Sequence, residues 1–413
     1  MTTFRGSSDH EPMLSVEEAQ ERVLELVTPL GIEQVALRDA LYRVLANDAV
    51  ATFDVPEGDN SAMDGYAVIA DDTPGTLRVI EDIPAGTVPR LRVERGTASR
   101  IMTGALVPEG ADAIAQVEIT DGGSELVRVD RKVERGTHVR RRGEDMRAGA
   151  TVIARGTRIG PAEIGVLASL GQSTITVARK PAIAILATGN EILEIDAPRR
   201  AGAIVNSNSY ALAALAREAG AEPRLRGIVS DTREATVAAL RDALDCDFIV
   251  TSGGVSAGAY DFVKDAVTDL GADTRVWRVA MKPGKPVVVS RLPDGQVAFG
   301  LPGNPVSCMV AFILFVAPAI RKATGQTLLF PPIVNVRLDA PLRAAGDRRA
   351  YLRVRVSARD GELVAMPMKA QGSHVSTSML GANGLAIVES GVTQIEAGEL
   401  APMLLIGNTF NGM

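Results

Sequence analysis

The sequence predicts a multidomain α/β protein, and two patterns along its 413 residues support this. Short apolar strands alternate with helical segments over residues 180–328, which is typical of a mostly parallel sheet covered by helices. Runs of alternating apolar residues, separated by glycine and proline, occur before and after that region. We therefore expect a central α/β domain at 180–328, an N-terminal helical domain at 13–52 plus 143–179, an all-β domain inserted at 53–142, and a small C-terminal β-barrel at 329–413.

The N-terminal helical domain is predicted from a capping pattern and apolar repeats. Ser15 and Glu18 have the spacing of a capping box, and apolar positions recur from there to Val27. A second helical piece is expected over about residues 37–45, and a third over 160–169. We expect the third to pack on the first two, which would make residues 53–142 an insertion within one helical domain.

Composition excludes several classes of protein. The net charge of −6 argues against a general nucleic-acid-binding protein. Cys246 and Cys308 form neither a disulfide framework nor a metal-ligand spacing, which favours a reducing, cytoplasmic location. The N-terminus lacks the pattern of a signal sequence. The most apolar segment, residues 308–320, is too short for a membrane span and is predicted to be a core helix.

A glycine-rich loop, T-S-G-G-V-S-A-G-A-Y-D, joins a predicted strand to a predicted helix at residues 251–261. Its glycines allow close approach of the backbone to a ligand, and its N–H groups and hydroxyls favour a phosphate. The carboxylate of Asp261 at the same place indicates a divalent cation beside the phosphate. A tight βα turn with incidental serines is the alternative for this loop alone. The candidate binding residues are Ser252, Gly253, Gly254, Ser256 and Gly258.

Two further loops lie where predicted strands end. M-K-P-G-K-P places Lys282 and Lys285 around a Pro-Gly turn, and G-L-P-G-N-P opens the apolar helix. Ligands bind at the carboxyl ends of strands in open α/β sheets, so all three loops are expected to form one site. The residues of the third loop are Pro302, Gly303, Asn304 and Pro305.

Three carboxylates follow three successive strands of the α/β region: Glu191, Asp231 and Asp261. Together with the lysines and a phosphate-binding loop, they indicate a metal-assisted reaction on a phosphate or an oxyanion. Asp231 is also a good helix N-cap, and Glu191 has the alternative of a solvated loop acid. No histidine lies near these loops in the sequence, which excludes a Ser-His-Asp arrangement.

The predicted inserted β domain carries its own polar motifs. G-D-N-S-A-M-D-G-Y-A-V includes Asp64, and I-M-T-G-A includes Thr103. The first contains more acids, amides and hydroxyls than a hairpin turn requires. R-R-R-G-E-D runs from Arg140 to Asp145, and its guanidinium groups suit oxyanion recognition, although a solvated charge run is the alternative.

In this order, the motifs resemble those of the molybdopterin molybdenumtransferases of the MoeA type, over about residues 13–407. A-T-G-N-E-I and the C-terminal Q-G-S-H extend the resemblance. The family inserts molybdate into the dithiolene of adenylylated molybdopterin and releases AMP, with Mg²⁺ assisting. The resemblance implies a homodimer whose site lies between the α/β domain of one subunit and the inserted β domain of the other. It also implies other proteins of molybdenum cofactor biosynthesis as partners, and neither nucleic acid nor membrane.

The resemblance assigns roles to individual residues. It implies catalytic roles for Asp64, Thr103, Asp145, Glu191, Asp231 and Asp261. It implies substrate binding by Arg140, Lys282, Lys285 and the residues of the two other loops, and Mg²⁺ ligation by Glu191, Asp231 and Asp261. The chain departs from the pattern where acids are frequent, at Asn190, Thr232 and Ala259, which puts the coordination of the metal in doubt.

Three other functions remain open at this stage. A molybdopterin adenylyltransferase shares the α/β domain and its glycine loop, but normally lacks the two β domains. A nucleotide-processing enzyme on the same domain would not need the Asp64 loop. A non-catalytic molybdopterin-binding scaffold would bind without turnover, whereas the complete set of acids and lysines favours an enzyme.

Overall fold

The computed structural model describes residues 13–255 and 262–407, and it confirms the predicted fold class. A central α/β region is flanked by a mostly β N-terminal part and by a closed C-terminal barrel. The proposed domain boundaries remain predictions.

A six-stranded sheet forms the centre of the molecule. The first four strands are parallel to one another. The fifth runs antiparallel to both of its neighbours, the fourth and the sixth. The central strands are buried along their whole length, which explains their near-continuous apolar sequences. The strand order is Glu222–Val229, Ala182–Thr188, Phe248–Ser252, Val297–Leu301, Pro286–Arg291 and Asp273–Arg278, and the covering helices are Asn208–Ala219, Arg233–Asp242 and Phe262–Asp269.

The predicted core helix is longer than expected. It runs through Pro305–Ala311, a π-helical turn at Phe312–Val316 and Ala317–Ala323. By length and composition it is apolar enough to cross a membrane, with a mean hydropathy of 1.8, yet 78% of its apolar window is buried inside the protein. It therefore acts as the central core helix of the α/β region.

The first helix, Val16–Glu25, begins with the predicted capping box at Ser15 and Glu18. Its partner is not the one we expected. Val16, Ala19 and Val23 are buried against the core helix of the α/β region. The helix Pro161–Ser169 packs instead on residues 37–45, in a separate core. The amphipathic pattern correctly predicts the helix, but it does not specify which apolar surface covers its buried face.

The prediction of a second helix over about residues 37–45 is wrong. A strand, Ile32–Ala36, pairs with Thr174–Ala178 and ends in a single 3₁₀ turn at Leu37–Asp39. Tyr42 then adopts a φ of 64° and donates its backbone N–H to the Ile159 carbonyl. Pairing across the chain outweighs local helix propensity here. A second ribbon joins Ala49–Val50 to Thr151–Ile153.

The inserted region is all-β, as predicted. A five-stranded sheet has the order Ala113–Gln116, Gly65–Val68, Thr97–Ile101, Gly75–Ile83 and Leu126–Val129. A short ribbon between Asn60–Ser61 and Val139–Arg140 closes the region. This ribbon brings the three N-terminal motifs side by side.

The C-terminal region is a closed five-stranded barrel. Its strands follow in the order Arg349–Arg359, Glu362–Pro367, Ile333–Leu338, Leu400–Leu405 and Gly384–Val388, and the last pairs with the first. Met281–Lys282, from the α/β region, adds a short parallel strand against Arg349 and Ala350. This pairing fastens the lysine loop to the barrel.

Candidate functional site

A cleft of about 1060 Å³ lies where the carboxyl ends of the parallel strands face the barrel. All three predicted loops of the α/β region contribute to its wall. From the predicted site, the cleft is lined by Glu191, Asp231, Ser252, Gly253, Gly254, Lys282, Lys285, Pro302, Gly303, Asn304 and Pro305. The structure therefore brings these predicted residues together in one cleft, and their roles remain predictions.

The glycine loop turns sharply against the end of the neighbouring strand. Gly253 and Gly254 have φ values of 98° and 68°, which favour glycine. A Cβ at Gly253 would meet the Thr188 hydroxyl oxygen at 2.8 Å, so a side chain would not fit there without a shift of Thr188. The predicted residues Ser256, Gly258 and Asp261, and the Ala259 departure, lie outside the described residues.

The lysine loop presents two exposed ammonium groups. Within the described parts of the chain, the ammonium groups of Lys282 and Lys285 make no hydrogen bond or ion pair. Strand pairing of Met281 and Lys282 with the barrel holds the loop in place, and Arg348 donates to the Met281 carbonyl at 3.2 Å. The two charges are therefore positioned by backbone contacts and remain available to an anion.

The acids line the cleft at the ends of the first two strands. Asp231 is not the N-cap of the following helix, because the Thr232 hydroxyl accepts from Ala235 N at 3.2 Å in that role. Instead, Asn190 N donates to Asp231 Oδ2 at 3.1 Å, and Asp231 N donates to Asn190 Oδ1 at 3.2 Å. Asn190 and Thr232, two of the departures from the pattern that the resemblance implies, thus support the shape of the Asp231 loop.

The structure describes two of the three predicted metal ligands. Glu191 and Asp231 both line the cleft, and the Glu191 carboxylate makes no hydrogen bond or ion pair with the rest of the described chain. No cluster of three or more metal-binding side chains occurs in residues 13–255 and 262–407. The third predicted ligand, Asp261, falls in the gap between those ranges.

The barrel forms the opposite wall of the cleft, and the predicted site included none of its residues. Arg353 is fully buried, and burial lowers the pKa of its guanidinium. Its Nε donates to Ser378 Oγ at 3.2 Å and its Nη2 donates to two carbonyls, but Nη1 has no partner within the described chain. Other barrel residues at the cleft are Arg343, Arg348, Gln371, Ser373 and His374. Distance along the sequence was therefore a wrong reason to exclude a histidine from the neighbourhood of the loops. The Q-G-S-H motif was the available signal for the last three.

The N-terminal motif residues form a separate cluster. Asp64 Oδ1 accepts from Thr103 N at 2.6 Å and from Thr103 Oγ1 at 2.7 Å, and these bonds hold the Asp64 pKa below its usual value. Arg140 pairs with Asn60 in the short ribbon, and Asp145 is exposed nearby. None of the four predicted residues lines the cleft described above. Within one chain, the predicted site is therefore divided between two places.

Three regions match models of one family, described as "MoeA N-terminal region (domain I and II)" at residues 14–171, "Probable molybdopterin binding domain" at 184–322 and "MoeA C-terminal region (domain IV)" at 335–406. The fold is similar to that of the MoeA protein of Pyrococcus horikoshii OT3, with a TM-score of 0.83 and 29% identity over 96% of this chain and all of that one.

Curated relatives match over nearly their full length. The chain is 40% identical to molybdopterin molybdenumtransferase 2 of Mycobacterium tuberculosis, over 94% of this chain and 98% of that protein. It is 36% identical to molybdopterin molybdenumtransferase of Bacillus subtilis, over 95% and 94% of the two chains. With this identity and coverage, and with all three family regions in order, the chain belongs to the MoeA family of molybdopterin molybdenumtransferases.

Proposed function

We propose that this chain transfers molybdenum from molybdate to adenylylated molybdopterin and releases AMP, a step of molybdenum cofactor biosynthesis. The observation that carries the proposal is the charge arrangement of the cleft. Lys282 and Lys285, whose ammonium groups have no partner within the described chain, line the cleft together with the buried Arg353 of the barrel wall. The carboxylates of Glu191 and Asp231 line the same cleft. This arrangement suits a substrate that carries anionic groups and a bound cation.

The cations suit the oxyanions of the reaction. Molybdate is a dianion and the substrate carries phosphates, so bringing them together requires positive charge in the site. Arg353 is buried beside the cleft with no carboxylate partner among the described residues, so its charge makes the site more favourable for an anion. Lys282 and Lys285 add charge from the exposed side of the cleft.

The glycine loop suits the phosphate. Backbone N–H groups of the loop and the Ser252 hydroxyl would donate to phosphate oxygens without adding a charge of their own. The Gly253 N–H is not among these donors, because it donates to the Leu301 carbonyl at 2.9 Å. Neither cysteine is placed as a metal ligand, since both are buried and burial raises the pKa of the Cys308 thiol to about 12. The dithiolene that receives molybdenum belongs to the substrate, so the chain supplies binding and orientation.

Mg²⁺ is proposed as the assisting cation. Glu191, Asp231 and Asp261 would hold it, and carboxylate oxygens are the ligands that Mg²⁺ prefers. When bound there, the ion would neutralise charge on the phosphoanhydride. Asn190 keeps the Asp231 carboxylate in place through its backbone N–H.

A homodimer is also proposed. Asp64, Thr103, Arg140 and Asp145 do not line the cleft of their own chain, so a second copy would supply them. Mixing Glu191→Gln subunits with Asp64→Asn subunits tests this. A shared site predicts recovery of about one quarter of wild-type activity, since one intact site forms in each mixed dimer. No recovery in mixed dimers, or a monomer at micromolar concentration, would contradict the shared site.

The central experiment follows AMP release from purified protein supplied with adenylylated molybdopterin and molybdate. Molybdate-dependent AMP release is expected. An adenylyltransferase would instead consume ATP with molybdopterin, and a scaffold would bind the substrate without turnover. We further propose a cytoplasmic location, which the free thiols Cys246 and Cys308 support.

A further inference from the structure

The Asn208 side chain joins two of the loops that line the cleft. Its Nδ2 donates to Ser252 Oγ at 2.8 Å and to the Gly303 carbonyl oxygen at 2.8 Å. The loops are also close to each other, because a Cβ on Gly303 would lie 3.7 Å from Gly253 Cα. One amide on the first turn of the helix Asn208–Ala219 thus ties the glycine loop to the P-G-N-P loop.

The Gly303 carbonyl determines the orientation of this amide. A carbonyl oxygen only accepts hydrogen bonds, so the NH₂ group of Asn208 must face it. The same NH₂ group then donates to Ser252 Oγ. Ser252 therefore receives one hydrogen and keeps its own hydroxyl proton for another acceptor.

Two acceptors compete for the Ser252 proton. The first is the Cys308 thiol, which contacts Ser252 and is 1% exposed. Its sulfur is a weak acceptor, and burial keeps the thiol neutral by raising its pKa to about 12. The second is a substrate oxyanion in the cleft, and a charged oxygen is a much stronger acceptor than sulfur. The hydroxyl is expected to turn to the substrate when it binds.

We propose that Asn208 is a positioning residue that presents the Ser252 hydroxyl as a donor to the substrate oxyanion and holds the Gly303 loop against the glycine loop. The inference rests on the proposed function for the nature of the substrate. Asn208 lines the cleft but acts through Ser252 and Gly303.

The test measures binding of adenylylated molybdopterin to Asn208→Ala by calorimetry, together with the melting temperature. Affinity is expected to fall about tenfold, the equivalent of one hydrogen bond to a charged group. The matched control is Ser209→Ala, the next residue of the helix, whose buried hydroxyl has no partner in the described chain. It is expected to bind as the wild type does.

A second pair of variants separates positioning from folding. If Asn208 acts through Ser252, then Asn208→Ala and Ser252→Ala have non-additive effects on affinity, and the double variant binds about as weakly as Ser252→Ala. Asn208→Asp keeps the size of the side chain but accepts the Ser252 proton, so it is expected to bind at least tenfold more weakly.

Each result decides a separate question. Wild-type affinity in Asn208→Asp, or additive effects in the double variant, would overturn the positioning role. A lower melting temperature with unchanged affinity in Asn208→Ala would also overturn it, because it would show a structural role alone. Failure of the wild-type protein to bind adenylylated molybdopterin would instead contradict the proposed function.

Discussion

In the inserted β domain the carboxylates of Asp59 and Asp64 bind neighbouring residues of the same domain, whereas several charged groups of the cleft have no partner within the described chain. Asp64 accepts two hydrogen bonds from Thr103, and Asp59 pairs with Arg141 at 2.6 Å. In contrast, Lys282 and Lys285 make no such contacts within the described chain. Both regions carry family motifs, but Asp59 and Asp64 have partners within the chain, whereas the two lysines of the cleft have none among the described residues.

This difference suggests different tasks for the two regions. Exposed ion pairs contribute little free energy, so those of the β domain serve mainly to give the motif loops one shape. Charges without partners in a cleft gain their partners from a ligand. We therefore expect substitutions in the cleft to change binding and turnover, and substitutions in the β domain to change loop order as well.

The largest effect is expected for Glu191→Gln. The carboxylate faces the cleft and has no described partner, so the fold should be unaffected while the proposed cation loses an anionic ligand. Turnover, measured as AMP release, should fall by about 10², as for other positioned catalytic groups. Glu194→Gln is the matched control, since Glu194 lies on the same loop but outside the cleft wall. Equal rates for both variants at saturating Mg²⁺ would remove Glu191 from the mechanism.

The next effect is expected for Lys282→Ala and Lys285→Ala. Each removes a cation that no described residue pairs, so affinity for adenylylated molybdopterin should fall by about 1.5–3 kcal/mol. Lys180→Ala, an exposed lysine before the first strand of the sheet, should bind as the wild type does. Unchanged affinity, or a collapse of thermal stability, would show that the lysines have another role.

A structural counterpart is Gly253→Ala. Its φ of 98° and the approach of Thr188 to 2.8 Å from a Cβ leave no room for a side chain. The free energy of unfolding should fall by about 1–3 kcal/mol in urea titrations. Gly303→Ala is the control, because its Cβ would meet nothing nearer than 3.7 Å and its stability should be nearly unchanged. An equal loss of unfolding free energy in both variants would show that the contact with Thr188 does not make a glycine necessary at position 253.

Sequence reasoning placed one wall of the cleft and missed the other for a physical reason. The three loops of the α/β region end neighbouring parallel strands, and strand alternation alone brings such ends together. Arg353 and Ser373 reach the cleft through long-range contacts: Met281–Lys282 pairs with a distant barrel strand, and Asn304 donates to Ser373 Oγ at 3.1 Å. Local patterns do not encode pairing at that separation.

The same limit explains the errors in the N-terminal part. The helical repeat near residue 40 was overridden by strand pairing between Ile32–Ala36 and Thr174–Ala178. The first helix was correctly predicted because its cap and apolar spacing are local, but its packing partner was not. The resemblance grouped Asp64 with Thr103 and implied that they and the α/β loops come from different subunits; within one chain, neither residue lines the cleft.

The smallest effect is expected from pH, and it tests whether the β-domain carboxylates order their loops. Hydrogen bonds from Thr103 N and Thr103 Oγ1 lower the pKa of Asp64, and those from Ala148 N and Arg142 lower the pKa of Asp54. A carboxylate whose pKa is lowered in the folded state stabilises the fold at pH values above its unfolded-state pKa of about 3.9. That contribution is lost as pH falls through the folded-state value. Asp64→Asn lacks it at every pH.

The difference in melting temperature between wild type and Asp64→Asn should therefore shrink as pH falls from 5 toward about 2.5. Asp71→Asn, an exposed acid of the same domain, is the control for a general effect of lost charge. A difference that stays constant over this range would mean that the Asp64–Thr103 contact does not stabilise the loop. In that case Asp64, like the acids of the cleft, would gain its stabilising partner only from outside its own chain. The contrast between the two regions would then disappear.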